Sequence, residues 1–528
     1  MDPSLPYPSQ RSQVFGRAAI ATSHSLASMA GMQMLLAGGN AVDAAVAAAM
    51  TLVVVEPTGC GIGSDAFAIV WDGSRLHGLD AAGRSPAAWT ADRFSGRTSM
   101  PERGWDSVTV PGAVSAWAML SKRFGKLPFE KIAGPAIHYA REGFSVTPVV
   151  ARRWAAETET LRSQPGFSEC FLPQGRAPLS GELFRSRAQA DTLEDIAATA
   201  GESFYRGALA NRIVAHARAH GGALSLGDLG QHQAVWVDTL SQSYAGTVVH
   251  ELPPPGQGIA TLMALGILEA LNLPSDDVDG IAQTHAAIEA TKLALADLHR
   301  FVADPRAMQL APPALLESGY LAARASLFDE RKAGNPGHGA PGQAGTVCLS
   351  AADASGMMIS FIQSNYKGFG SGVVVPGTGI SLQNRGCGFS LDPAHPNVVA
   401  PRKQPFHTII PGFAMQPDGK PAMAFGLMGG PMQAQGHVQM ALRILKHRQN
   451  PQAAADAPRW RVLNGKRIAV EKSMHPALVA GLAELGHDIV VSAQDDDFSF
   501  GGAQIIVNTG EGYVAGSDPR KDGQALAV

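Results

Sequence analysis

Charge is sparse in this sequence: Asp, Glu, Lys and Arg make up 16% of 528 residues, and 42 basic side chains nearly balance 45 acidic ones. At a net charge of -3, no basic field is present to hold nucleic acid or an anionic membrane surface. Cysteine is scarcer still. Cys60, Cys170, Cys348 and Cys387 share no C-x-x-C spacing, which argues for buried or free thiols and against a disulfide framework or a cysteine-built zinc site. Long apolar runs are missing too: the best candidate, AVDAAVAAAMTLVVVEP, contains Asp43 and stops at Pro57. The start of the chain, MDPSLPYPSQRSQVFGRAAIATSH, has no apolar core of the kind a secretory signal needs, so a soluble, cytoplasmic protein is expected.

Glycine (59) and proline (35) are plentiful, and they punctuate the chain. A helix is expected over 26–37, closed by Gly38-Gly39, with Asn40 capping an alanine-rich helix over 41–52. Gly59, Gly61 and Gly63 form a loop running into a strand at 66–71. The loop lacks G-x-G-x-x-G spacing and opens a strand instead of a helix, so it is not a dinucleotide site. Residues 155–235 read as helical and polar. In THAAIEATKLALADLHRFVADP, His285, Glu289, Lys292 and Asp297 share roughly one helix face, where a hydrogen-bond network competes with metal ligation by His285 and Glu289. Residues 329–345, DERKAGNPGHGAPGQAG, read as a mobile linker.

The chain is organised around the stretch after that linker, GQAGTVCLSAADASGMMISFIQSNYKGFGSGVVVPGTG. TVCLSAAD and MMISFIQS read as two strands joined by a turn at Ser355-Gly356. Gly345-Thr346 is a small residue followed by a hydroxyl residue at a strand start. A chain cut there exposes a threonine whose own α-amine can take the hydroxyl proton. Turn chemistry alone also produces Gly-Thr pairs.

This stretch resembles the central motif of the γ-glutamyltranspeptidase family of N-terminal nucleophile hydrolases. Thr346, Ser350 to Asp353, Gly356, Phe369 to Gly372 and Pro376 to Asn384 carry the likeness. GGNAVDAA, VPGAVSAWAML, the segment PAIHYAREGF and the turn ELPPPGQG extend it over nearly the whole chain. The resemblance implies an α/β (α+β) four-layer αββα sandwich. It implies self-cleavage between Gly345 and Thr346 into a large (1–345) and a small (346–528) subunit, forming one intertwined unit. It makes Thr346 the nucleophile and its amine the base, with Gly429 and Gly430 donating to the oxyanion and Ser364 standing where relatives carry an assisting threonine. No cofactor or metal is required, and a homodimer of processed heterodimers is compatible with the family. Many relatives are exported, so the cytoplasmic reading is a departure.

Substrate recognition is where the sequence leaves the glutathione-cleaving pattern. Ala82 stands where those relatives carry a carboxylate-binding arginine, with Arg84 two residues on; Cys387 and Gly388 replace the amine-binding acid; His407 and Thr408 replace paired serines; and Tyr366 replaces an asparagine. Each charge-assisted contact of that kind is worth about 1.5–3 kcal/mol. Arg84, Arg385 and His407 are gained with no new acid, which favours an acyl group bearing a carboxylate and no ammonium. The pattern is nearest the oxamate amidohydrolase and cephalosporin-acylase-like branch. A small carboxylate-bearing amide such as oxamate is therefore the expected substrate. A γ-glutamyl hydrolase or transferase, with Arg84 or Arg385 in the missing role, is the alternative within the class, and an unprocessed binding protein is the alternative outside it.

Overall fold

The computed structural model describes residues 11–273, 277–336, 345–493 and 499–528, and only the backbone of 345–347. Alternation of side chains fixes its centre. In Gly345–Ala352 and Met358–Tyr366, Leu349 and Phe361 join one apolar cluster, while Cys348 and Ile362, one position away, join another. Two strands apolar on both faces can only lie inside a layered stack.

Numbered along the chain, the strands of the two main sheets are β1 (Val14–Gly16), β2 (Ala19–Thr22), β3 (Asp65–Trp71), β4 (Leu76–Asp80), β5 (Val235–Val237), β6 (Leu240–Tyr244) and β7 (Thr247–Glu251). They continue with β8 (Gly345–Ala352), β9 (Met358–Tyr366), β10 (Gly412–Met415), β11 (Pro421–Met428), β12 (Gly502–Asn508), β13 (Tyr513–Ser517) and β14 (Gln524–Ala527). One seven-stranded sheet runs β14-β2-β8-β9-β3-β4-β5 and the other β1-β13-β12-β11-β10-β7-β6, every pair antiparallel. Phe67, Ile69, Cys348, Ile362, Phe413, Ala424 and Ile506 fill the space between them.

Helices cover both outer faces. Helix α1 (Ser25–Leu36) and α2 (Ala41–Val55) pack with Ala66, Ala68 and Phe361, and every residue of α2 is buried. Asn40 caps α2 as expected: its side chain accepts from Val42 and Asp43 N–H, and Asp43 returns a bond to the Asn40 N–H. On the opposite side α3 (Gly258–Leu271), α4 (Ile281–Phe301) and α5 (Met432–Ala441) pack on Met423, Phe425 and Ile505. The order helix, sheet, sheet, helix is the expected αββα sandwich.

The face of α4 carries a hydrogen-bond network. The Lys292 ammonium donates to Glu289 Oε1 (2.8 Å), to the Gly334 carbonyl (3.2 Å) and to His487 Nδ1 (3.3 Å), and His487 Nε2 lies 2.8 Å from His285 Nδ1. His285 Nε2 donates to the Asp329 carbonyl, and Gly334 N–H donates to Glu289. At the start of the 329–345 linker, this network and an Ala333-to-Leu485 backbone bond join the chain to the neighbouring segments. Residues 337–344 of that linker lie outside the described residues. Asp297 instead pairs with Arg324 at 2.9 Å.

Candidate active site

Strand register gathers the first residues of the site. Gly345 lies opposite Tyr366, and Ser364 opposite Asp65, so β8, β9 and β3 present them at one end of one sheet. The Thr346 backbone sits there between Gly345 and Val347; its side chain lies outside the described residues. The Ser364 hydroxyl accepts the Tyr366 N–H at 2.7 Å. Tyr366 holds φ at 84°, the left-handed region that a non-glycine residue enters only at a cost, and so turns the chain sharply at the strand's end.

The other sheet supplies the glycine pair. Gly429 (φ 126°) and Gly430 (φ 58°) follow β11 and lead into α5, a backbone path open to residues without a Cβ. Among the described residues neither N–H has a hydrogen-bond acceptor. Their position is held by Gln257, a residue the sequence reading did not single out although it quoted the turn ELPPPGQG. Its Nε2 donates to the Gly430 carbonyl (2.7 Å) and the Thr408 carbonyl (2.5 Å), bridging two segments of the site.

Arg385 is the buried cation. Its Nη1 donates to Thr408 Oγ1 (2.9 Å), and its guanidinium lies 4.6 Å from the Tyr366 ring centre. Nε and Nη2, the edge that forms a bidentate fork for a carboxylate, have no described partner although both are buried. Burial lowers this guanidinium to about 10, with Asp65 the largest opposing charge, so it stays protonated at neutral pH.

His407, fully buried and in tilted contact with Phe67 at 4.7 Å between ring centres, points Nε2 at Asp65 Oδ2 (3.1 Å). Its Nδ1 is buried with no described partner. Asp65 is the acid that lies beside these groups in space, against His407 and as the largest charge opposing the lowering of Arg385. Its other oxygen accepts the N–H of Gly112 (2.9 Å) and Gly83 (3.3 Å). A Cβ on either glycine would fall 1.5 Å from a carbonyl oxygen, of Ala81 or of Val110, so only glycine brings these donors so close. Burial raises the Asp65 carboxyl to about 7, against the pull of Arg385 and the two N–H groups, while burial and then Arg385 press His407 well below its ordinary value. In GIGSDAF nothing marks Asp65; its partner is 342 residues away.

Arg84 is not brought to this cluster. It pairs with Asp304 at 3.0 Å, 41% of its side chain exposed, and lines a shallow cavity with Arg306 and Arg402. The sequence placed it with Arg385 as a substrate-binding residue; the structure pairs its side chain with Asp304. Cys387, half-buried in the turn Arg385–Gly388, has its thiol pushed up to about 12 by burial, which disfavours the thiolate.

Comparison with known proteins places this arrangement. The family model of gamma-glutamyltranspeptidase matches residues 27–528. The oxamate amidohydrolase proenzyme of Klebsiella pneumoniae is 38% identical over 518 residues, 95% of this chain and 97% of that one. The glutathione hydrolase-like YwrD proenzyme of Bacillus subtilis is 34% identical over 520 residues, 96% of this chain and 98% of that one. Among solved structures, a cephalosporin acylase from Bacillus halodurans superposes with a TM-score of 0.95 at 45% identity, covering 100% of this chain and 99% of its own. The chain, an αββα sandwich like these relatives, belongs to the γ-glutamyltranspeptidase family and is an amide-bond hydrolase.

Proposed function

We propose that the protein is a self-cleaving threonine amidohydrolase acting on a small amide whose acyl part carries a carboxylate, with oxamate the named substrate. The observation that carries this is the buried Arg385 fork. A buried guanidinium edge without a partner is rare in folded proteins, and a planar carboxylate is its natural complement. The similar oxamate amidohydrolase proenzyme of Klebsiella pneumoniae supports the same class.

In this reading the Gly345–Thr346 bond is cut first, with the threonine hydroxyl attacking the Gly345 carbonyl and water releasing the ester. The freed Thr346 amine then takes the hydroxyl proton as Oγ attacks the substrate carbonyl. Gly429 and Gly430 N–H stabilise the oxyanion, and the C–N bond breaks as the amine nitrogen receives the proton. Water hydrolyses the acyl-threonine and restores the enzyme. Arg385, held by Thr408, fixes the acyl carboxylate. The large and small subunits remain one unit, and a cytoplasmic location is part of the proposal.

Intact mass and N-terminal sequencing test the first half: two fragments are expected, the second beginning at Thr346, and Thr346→Ala is expected to remain one inactive chain. Rates on oxamate, a glutaryl amide and glutathione test the second. Arg385→Lys, which cannot form the fork, is expected to lower kcat/KM on oxamate about 10- to 100-fold, the value of one charge-assisted contact. Faster cleavage of glutathione than of the carboxylate amides overturns the substrate assignment.

A further inference from the structure

The Arg385 fork explains the carboxylate; the buried nitrogen beside it asks for something else. His407 directly precedes Thr408, to which Arg385 is bonded, and Arg385 and His407 also share Asp65 as a charged neighbour. Asp65 Oδ1 is committed to the Gly83 and Gly112 N–H groups, so its orientation is fixed and Oδ2 faces His407 Nε2. With Asp65 ionised, Nε2 carries the imidazole proton and donates it. Nδ1 is then a bare acceptor, and the Nε2–Asp65 bond sets the ring's orientation. A buried acceptor without a donor is as costly as a buried donor without an acceptor.

We propose that His407, held in one tautomer by Asp65, accepts an N–H of the scissile amide while Arg385 holds the acyl carboxylate, so that the site selects an amide over the corresponding ester. This rests on the carboxylate-amide reading and adds a second requirement to it: the substrate must bring a donor as well as an anion. His407 touches substrate; Asp65 is a positioning residue acting through it.

Oxamate and monomethyl oxalate share the carboxylate and the reacting carbonyl and differ in whether an N–H is present. The measurement is the ratio of their kcat/KM values in the processed enzyme and its variants. His407→Gln places an amide near Nε2, keeping contact with Asp65 and leaving the Nδ1 position empty; the amide-to-ester ratio is expected to fall about tenfold or more. His407→Asn restores an acceptor near Nδ1 and is expected to recover most of the ratio. Asp65→Asn gives an independent reading. The two glycine N–H groups hold its oxygen, so its NH2 faces Nε2 and forces the proton onto Nδ1, and the ratio is expected to fall again. If oxamate and ester rates fall together in these variants, or the ratio stays at the parent value, His407 does not read the N–H and the proposal is overturned. If the parent enzyme cleaves neither compound but does cleave glutathione, the carboxylate-amide reading itself fails and takes this proposal with it.

Discussion

At the scale of single residues, the site depends on which atom of Asp65 and His407 carries one proton. The Asp65 carboxyl is raised to about 7 by burial, opposed by Arg385 and the Gly83 and Gly112 N–H groups and reinforced by Asp80. His407 adds no second charge, because burial and Arg385 keep it neutral. Below pH 7 Asp65 is protonated and donates to Nε2, moving the imidazole proton to Nδ1; above pH 7 Asp65 is ionised and Nδ1 is the acceptor. The amide-to-ester ratio of kcat/KM is therefore expected to rise between pH 6 and 8, while the titration of the shared Thr346 amine cancels. In Asp65→Asn the ratio is expected to be flat over that range. A parent ratio independent of pH contradicts this ionisation scheme.

The same scale shows what a sequence conceals. Arg385, His407 and Thr408 were visible as departures from a motif, and the structure joins them. Arg84 was equally visible, yet Asp304, 220 residues along the chain, claims it. Asp65 and Gln257 went unmarked because one is a strand's first residue and the other a turn residue, roles that many side chains can fill. Their importance lies in partners 342, 151 and 173 residues away, which local pattern does not encode.

At the scale of elements, strand ends do the positioning. Asp65 opens β3, Ser364 and Tyr366 close β9, and the glycine pair follows β11. The scaffold was legible through the family resemblance more than through periodicity, and the site sits at the strand ends. Gln257 is the tie across the gap, standing at the start of α3 with its amide on two carbonyls. Gln257→Met keeps the volume and removes both bonds. Two neutral hydrogen bonds of about 0.5–1.5 kcal/mol each are lost, together with the satisfaction of two carbonyls. The expected result is a melting temperature lower by a few degrees and a larger loss in kcat than in KM, since the oxyanion donors move with Gly430. A loss confined to KM argues against this role. Of the α4 face, His285 and Glu289 join a hydrogen-bond network whose further member, His487, comes from a distant segment that the sequence did not connect to them, and the three ligand atoms lie within 4.8 Å of one another.

At the scale of the whole molecule, both sheets are interleaved across residue 345. In one sheet β8 and β9 lie between β2 and β3; in the other, β10 to β13 separate β1 from β7. Neither the segment before the proposed cut nor the one after it can keep its sheet hydrogen bonds alone. The two fragments are expected to co-elute on gel filtration and to separate only in denaturant. Separation in native buffer contradicts the interleaving.

Interleaving also gives the molecule a direction in time. An uncut chain reaches this arrangement with its two halves tethered, so the encounter that threads β8 between β2 and its neighbours is a loop closure. Once the tether is gone, the same encounter becomes a meeting of two separate unfolded chains, each bearing exposed strand edges. Heating is then expected to be reversible for Thr346→Ala and irreversible for the cut parent, whose melting point will drift with scan rate. A protein cut in this way is in that sense written once: once unfolded, it is expected not to be reassembled from its own pieces.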